Sequence, residues 1–221
     1  MFARWRFERA LRSLRQSDHS VLRDYANAAW PQRDCRATEA SYLALDFELD
    51  GLRKDAHLLQ AGWVPFVGTT ISLEEAHSVD IRSSAELDDT AVTIHGIGEQ
   101  RAANGQRLRD VVPELIAMLA GRVMVAHGEA IERYALQRAT RALYGVDVPI
   151  WGICTLVLEK HLKPRLVGSQ AYRLGPSRHR YGLPEYRAHD ALTDAIAAAE
   201  LFQAQLSRLP ADATLGQLER R

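Results

Sequence analysis

The fold of this chain turns on the run Ser41-Tyr42-Leu43-Ala44-Leu45-Asp46-Phe47-Glu48-Leu49-Asp50-Gly51. Its centre, Tyr42 to Glu48, is short and apolar, and Asp50-Gly51 closes it, the pattern of a buried strand entering a turn. Two more strand-like runs follow, residues 57–66 and 69–79, with Gly68 between them. That spacing predicts a hairpin, so three strands open the domain as an antiparallel meander. The chain then alternates. Residues 107–120 carry apolar side chains at helical spacing, and 122–126 form a short apolar strand closed by His127-Gly128. Residues 129–144 are helical again, and 148–154 read as a further strand. Residues 190–209 form an alanine-rich helix with the stripe Leu192, Ile196, Ala199, Phe202 and Leu206, capped by Asp190 and stopped by Pro210. The prediction is an α/β fold: a mixed five-stranded sheet, meander first and parallel strands after, flanked by helices.

Outside this frame the chain is ordinary. Of its 221 residues 47% are hydrophobic, enough for one core and a small appendage. Residues 1–37 read as a helical N-terminal extension, 38–210 as the main domain and 211–221 as a short C-terminal tail. The extension opens MFARWRFERALRSLR, whose Phe2, Trp5, Leu11 and Leu14 predict a helix packed on the main domain. A transit peptide or membrane-surface helix is the alternative, which Glu8 and Asp18 weaken. No run of about 18 apolar residues spans a bilayer. The N-terminus has no apolar signal core, and Cys35 and Cys154 form no disulfide or metal spacing, so a cytoplasmic protein is expected. Lys plus Arg equals Asp plus Glu at 28 each, which argues against a wholly basic nucleic-acid coat protein.

Three sets of residues carry chemistry. Asp46 and Glu48 stand two apart on a strand, so both carboxylates face the same way. Like charges side by side need a cation, and paired hard oxygens suit Mg²⁺ or Mn²⁺. Glu132 lies in the first turn of the helix after His127, at the sheet edge where ligands gather; an acid favoured by the helix dipole is the plainer reading. His189 stands just before the last long helix and Asp194 one turn inside it. Histidine titrates near neutrality and serves as a base for water; a surface histidine beside a solvated Asp is the plainer reading.

Together, these motifs resemble the DEDD exonuclease superfamily, in its histidine-bearing branch, that of the epsilon proofreading subunit of bacterial DNA polymerase III and RNase T. The family's first motif, Asp-x-Glu followed commonly by Thr-Thr-Gly, is matched by Asp46-Phe47-Glu48-Leu49-Asp50-Gly51. Its His-Gly-Ile segment is matched by His95-Gly96-Ile97. Its Ala-His with an acid five residues on is matched by Ala126-His127 and Glu132, and a recurring segment by Cys154-Thr155-Leu156. Its His-x-Ala-x-x-Asp-Ala is matched by His189-Asp190-Ala191-Leu192-Thr193-Asp194-Ala195. The resemblance covers residues 41–209. Leu49 and Asp50 replace the usual threonines, Gly128 a common asparagine, and Glu132 the usual aspartate.

The resemblance implies an RNase H-like sheet and a metal-dependent 3′–5′ exonuclease, with single-stranded DNA favoured and nucleoside 5′-monophosphates released. Asp46, Glu48, Asp194 and Glu132 would hold two divalent ions, Mg²⁺ or Mn²⁺, and His189 would be the general base. Phe47, Leu49, Asp50, His95, Ile97 and His127 would contact substrate. RNA 3′-end trimming and a non-catalytic binding module with the same fold are the alternatives. Between Lys160 and His189 seven Lys/Arg face one acid, Glu185, interleaved with Tyr172, Tyr181 and Tyr186. This segment either tracks a phosphate backbone with stacking tyrosines or is a solvated basic face with packing ones. A polymerase partner is compatible with the resemblance, but the tail ADATLGQLERR carries no clear segment for one, so a stand-alone nuclease is expected. A homodimer, as in some relatives, is left open.

Overall fold

A computed structural model describes residues 2–51, 53, 56–83, 92, 93, 95–168 and 170–219, with side chains from residue 5 onward. Of the residues singled out above, the Phe2 side chain lies outside this set.

β1 (Ser41–Leu49) is the pivot of the sheet. It pairs antiparallel with β2 (Leu58–Val67) and parallel with β5 (Val123–Ala126), which in turn pairs parallel with β6 (Gly152–Cys154). β3 (Thr70–Ile71) and β4 (His77–Asp80) both pair antiparallel with β2. The mixed sheet therefore has six strands among the described residues, in the order β3-β2-β1-β5-β6 with β4 also on β2. The count exceeds the expected five because the run 69–79 is not one strand. Its chain leaves the ladder after Ser72 donates to the Pro65 carbonyl, crosses the short 3-10 turn Leu73–Glu75, and returns as β4. Pro65 has no N–H to continue the ladder at that point. β6 is likewise shorter than expected: Pro149 cannot donate, and its carbonyl accepts the Tyr25 hydroxyl instead.

Two helical layers cover the sheet. α1 (Phe2–Leu14), α2 (Ser20–Asn27), α4 (Leu108–Leu119) and α5 (Ala130–Tyr144) lie on one face, and a short α3 (Glu99–Asn104) follows β4. Leu11, Leu14, Leu22 and Tyr25 join Leu43, Leu45, Phe47 and Ile116 in one buried cluster, so the first two helices share the core of the sheet. α6 (Thr155–Leu162), α7 (Leu174–Arg180), α8 (Ala191–Leu206) and α9 (Leu215–Leu218) follow β6. Ala195, Ala199 and Phe202 of α8 pack with Tyr42, Ala44, Val64 and Phe66 on the opposite face, and Leu215 and Leu218 join them. The observed α4, α5 and α8 fall within a few residues of the spans expected from periodicity. Asp190 caps α8 as expected, its carboxylate accepting from the Thr193 N–H at 3.1 Å.

This layering positions the chemistry. Along β1, Leu43, Leu45 and Phe47 enter the first cluster, and Tyr42 and Ala44 the second. Strand alternation then aims Asp46 and Glu48 at the α8 side, where the apolar lining stops and α8 begins.

Candidate active site

Asp46, Glu48, Glu132, His189 and Asp194 line one cavity of about 1410 Å³ at the carboxyl ends of β1 and β5. Ligand atoms of Glu48, His189 and Asp194 lie within 4.8 Å of one another. Three elements supply these five side chains. β1 supplies Asp46 and Glu48, the first turn of α5 supplies Glu132, and the start of α8 supplies His189 and Asp194.

The electrostatics are those of crowded acids. Burial raises the pKa of Asp46 well above the usual carboxylate range, and Glu132, Asp194 and Glu48 reinforce the shift. Burial also lifts Glu48 to about 7, aided by Asp194 and Asp190. Glu132 is pushed up to about 8, again mainly by burial. Its Oε2 is buried without a hydrogen-bond partner among the described residues. Burial raises Asp194 too, but hydrogen bonds from Tyr186 and the His189 backbone oppose it. Burial and neighbouring acids disfavour ionisation of these four carboxylates, and a hard divalent cation with oxygen ligands would offset that cost.

His189 is held unusually. It is the one described non-glycine residue with positive φ, at 67°, a conformation that costs about 1–3 kcal/mol and persists where surrounding contacts impose it. Those contacts are visible. The His189 N–H donates to Asp194 Oδ2 at 2.8 Å, and the Ala191 N–H donates to Gln60 Oε1 at 2.9 Å. Gln60 is buried on β2 opposite Glu48, and its Nε2 donates to Asp80 Oδ1 at 3.1 Å. Asp80 in turn accepts a two-pronged pair from Arg101 at 2.6 and 2.7 Å. Gly62, opposite Asp46, lets α8 touch the strand: a Cβ there would stand 2.1 Å from the Leu192 nitrogen and 2.2 Å from the Ala191 carbonyl carbon.

The substrate-contact candidates divide. Phe47, Leu49, His95 and His127 line the cavity, whereas Asp50 and Ile97 are not among its lining residues. Asp50 is turned inward: its carboxylate accepts the His57 N–H at 2.7 Å, and the His57 Nδ1 lies 2.7 Å from the other oxygen. Ile97 is fully buried, in a cluster with Leu59 and Ala102. His95 Nδ1 accepts from the Ile97 N–H at 3.1 Å, which leaves the ring proton on Nε2, and burial lowers its pKa. His127 Nε2 lies 2.9 Å from the Tyr172 carbonyl, which only accepts, so Nε2 carries the proton. Its Nδ1 then accepts from the Thr155 hydroxyl at 2.9 Å. Both nitrogens are engaged within the fold, and burial lowers the pKa to about 4.

The basic segment is partly internal. Arg180 pairs with the buried Glu159 at 3.0 Å, and the buried Arg178 pairs with Glu200 at 2.6 Å. All three tyrosine hydroxyls are engaged within the fold, each side chain stays half-buried, and Tyr186 lines the cavity. The Tyr172 hydroxyl donates to the Lys163 carbonyl and that of Tyr181 to Glu159, while Tyr186 bonds Asp194 beneath the Arg178 guanidinium, 4.9 Å from its ring centroid. Sequence reasoning missed Gln60, Gly62 and the Tyr186–Asp194 bond. A glycine inside a strand run was a signal of close backbone approach; Gln60 and Tyr186 carried none beyond polarity in an apolar setting.

A profile of the RNase T exonuclease family matches residues 43–202, from β1 to α8 and across all five acidic and histidine positions. The chain belongs to this exonuclease family. The resemblance read from its motifs, to the DEDD superfamily and its proofreading members, agrees with this match. PolC-type DNA polymerase III of Thermotoga maritima is 29% identical over 165 residues, 74% of this chain. The same enzyme of Thermotoga petrophila is 28% identical over 170 residues, 76% of this chain. The chain spans only 12% of the length of either polymerase. Among solved structures, E. coli exonuclease I in complex with a dA16 oligonucleotide superposes with a TM-score of 0.68 at 14% identity, covering 79% of this chain and 42% of that one. A 3′-exonuclease that recognises a histone mRNA stem-loop superposes with a TM-score of 0.64 at 14% identity, covering 78% of this chain and 65% of that one. These likenesses show a shared RNase H-like fold. Among the described residues, no helix is long and apolar enough to cross a membrane.

Proposed function

We propose that this chain is a metal-dependent 3′–5′ exonuclease that hydrolyses single-stranded DNA ends to nucleoside 5′-monophosphates. The observation that carries the reading is the meeting of Asp46, Glu48, Glu132 and Asp194 with His189 around one cavity. Burial raises the pKa values of these acids, with neighbouring carboxylates adding to the shift, and a divalent cation would favour their ionised forms. The donor set fits Mg²⁺ or Mn²⁺: four carboxylates of hard oxygens, one with a buried oxygen that has no partner among the described residues. In this reading Asp46, Glu48, Asp194 and Glu132 would hold the two ions. When bound, the ions activate water and stabilise charge on the phosphoryl and leaving oxygens.

The protein groups do the rest. His189 is exposed at the cavity and takes the proton of the attacking water through its ring. Its backbone N–H, bonded to Asp194, fixes the base and a metal ligand to each other. Leu49 and Phe47 give the 3′-terminal nucleotide an apolar wall, and Arg173 on the same lining attracts phosphate. DNA is favoured over RNA because the relatives found by sequence are DNA polymerases.

The test is digestion of 5′-labelled single-stranded DNA and RNA of matched sequence, in Mg²⁺, Mn²⁺ or EDTA, with Asp46→Ala as control. The expected result is a metal-dependent ladder shrinking from the 3′ end, faster on DNA. A faster RNA ladder would move the reading to RNA trimming. Wild type indistinguishable from Asp46→Ala on both strands would remove the enzyme reading.

A further inference from the structure

A second cleft, of about 450 Å³, opens beside the acidic cavity. Leu49, Ile131, Tyr134 and Ala135 form its apolar surface, and Arg53 and Arg138 also line it. Leu49 and Ile131 line both spaces, so the two adjoin. Ile131, Tyr134, Ala135 and Arg138 follow the i, i+3, i+4, i+7 spacing of one helix face on α5. Ile131 is 45% exposed and Tyr134 48%, two large apolar side chains left open next to a cluster of carboxylates.

Resting on the exonuclease reading, we infer that this cleft is the subsite for the nucleotides immediately 5′ of the scissile phosphate. Their bases lie on Tyr134 and Ile131, and their phosphates lie beside Arg53 and Arg138. Four arguments support that occupant. A strand whose 3′ end enters the acidic cavity must leave it, and the cleft adjoins that cavity. The strand is an anion leaving a nest of carboxylates, so its path is favoured where cations begin, and guanidinium geometry suits phosphate. Internal contacts hold both cations in place: Arg53 lies 3.6 Å from Asp50, and Arg138 donates to the Ala56 carbonyl. An open tyrosine ring between apolar neighbours is a stacking platform that accepts any base. Seven helical steps from Ile131 to Arg138 rise about 10 Å, room for roughly two or three nucleotides at about 3.4 Å each.

The test separates the cleft from the chemistry. Tyr134 does not line the acidic cavity, and the leaving group of the methyl ester of thymidine 5′-monophosphate is too small to extend into the cleft, so that ester reports hydrolysis alone. Wild type, Tyr134→Ala and Tyr134→Phe are compared on that ester and on oligo-dT of about two to eight nucleotides. For wild type, KM is expected to fall roughly tenfold or more as the chain lengthens to about four nucleotides. Tyr134→Ala should lose that gain, with KM on long substrates up roughly tenfold or more and kcat/KM on the ester within about twofold of wild type. Tyr134→Phe, which keeps the ring, should behave as wild type. An unchanged KM on long oligo-dT in Tyr134→Ala overturns the subsite, and so does a parallel loss on the ester, which would mark a structural role. If wild type cleaves neither substrate, the exonuclease reading fails. The cleft is then judged by anisotropy of labelled oligo-dT in EDTA. Weaker binding by Tyr134→Ala than by wild type would keep the cleft as a nucleic-acid site, and equal binding would overturn it.

Discussion

Gly62→Ala puts the positioning of the site to the test. Gly62 is not among the glycines with positive φ, so space rather than backbone conformation makes it glycine. The added Cβ would meet backbone, not a side-chain tip: Leu192 N at 2.1 Å, Ala191 C at 2.2 Å and Leu192 Cα at 2.4 Å. Ordinary contact begins at 3.4 Å, so strand and helix must part by at least about 1 Å. Overpacking of this kind costs about 1–3 kcal/mol, a fall of roughly 2–12 °C in Tm for a domain of this size. Without the contact, the same change would stabilise by about 0.4–1 kcal/mol through the unfolded chain, so the sign of the effect decides. The start of α8 carries His189 and Asp194, and Asp46 and Glu48 stay on the sheet. A shift of about 1 Å between the two pairs predicts a loss near 10²-fold in rate. Melting curves and single-turnover cleavage of a labelled 3′ end measure both. A variant as stable as wild type and equally fast would show that the glycine does not set the distance between the two halves of the site.

The other predictions concern the acids and the base. Asp46→Ala is expected to abolish cleavage while leaving metal-free stability unchanged or higher, because one of four crowded carboxylates is gone; a clear drop in Tm would contradict that account. Glu132→Asp should keep or raise activity and Glu132→Ala lower it strongly, and equal rates for all three would reduce Glu132 to a helix-terminal acid. His189→Ala should slow turnover by about 10²–10⁴-fold with Mn²⁺ binding retained in calorimetry, since its side chain acts by proton transfer. Metal-free stability should fall as pH rises from about 5 to about 8, because Glu48 and Glu132 have folded-state pKa values raised to about 7 and about 8 and must ionise against their surroundings. Divalent metal should therefore raise Tm much more near pH 8 than near pH 5, and an equal rise at both would count against those acids as its ligands.

The local parts of the site are legible in the amino-acid sequence. Alternation along Tyr42 to Glu48 shows that Asp46 and Glu48 face together, and Asp190 announces the start of α8 by its capping chemistry. Other features escape such a reading for identifiable reasons. Asp50 lies in the first motif, yet its carboxylate is spent on His57, a partner chosen by how the loop after β1 closes. His127 lines the cavity, but its nitrogens are committed to Thr155 and Tyr172, brought together only when α6 and the following loop dock. The tyrosines of the basic segment are equally suited to stacking or packing by their spacing, and tertiary contacts engage all three hydroxyls.

Short-range periodicity and motifs a few residues long are enough for the α/β class, the spans of α4, α5 and α8, the residues of the acidic cluster and membership of the exonuclease family, but not for the split of β3 from β4 or for α3, α6, α7 and α9. Tertiary packing settles which face of β1 meets α8, and makes Gln60 and Gly62 set the depth at which the helix docks. It also leaves Tyr134 and Ile131 open beside the acids. Such outcomes depend on contacts between segments far apart in the chain. There the choice of partner follows from how whole faces bury their apolar area and satisfy backbone groups, and no local pattern records it.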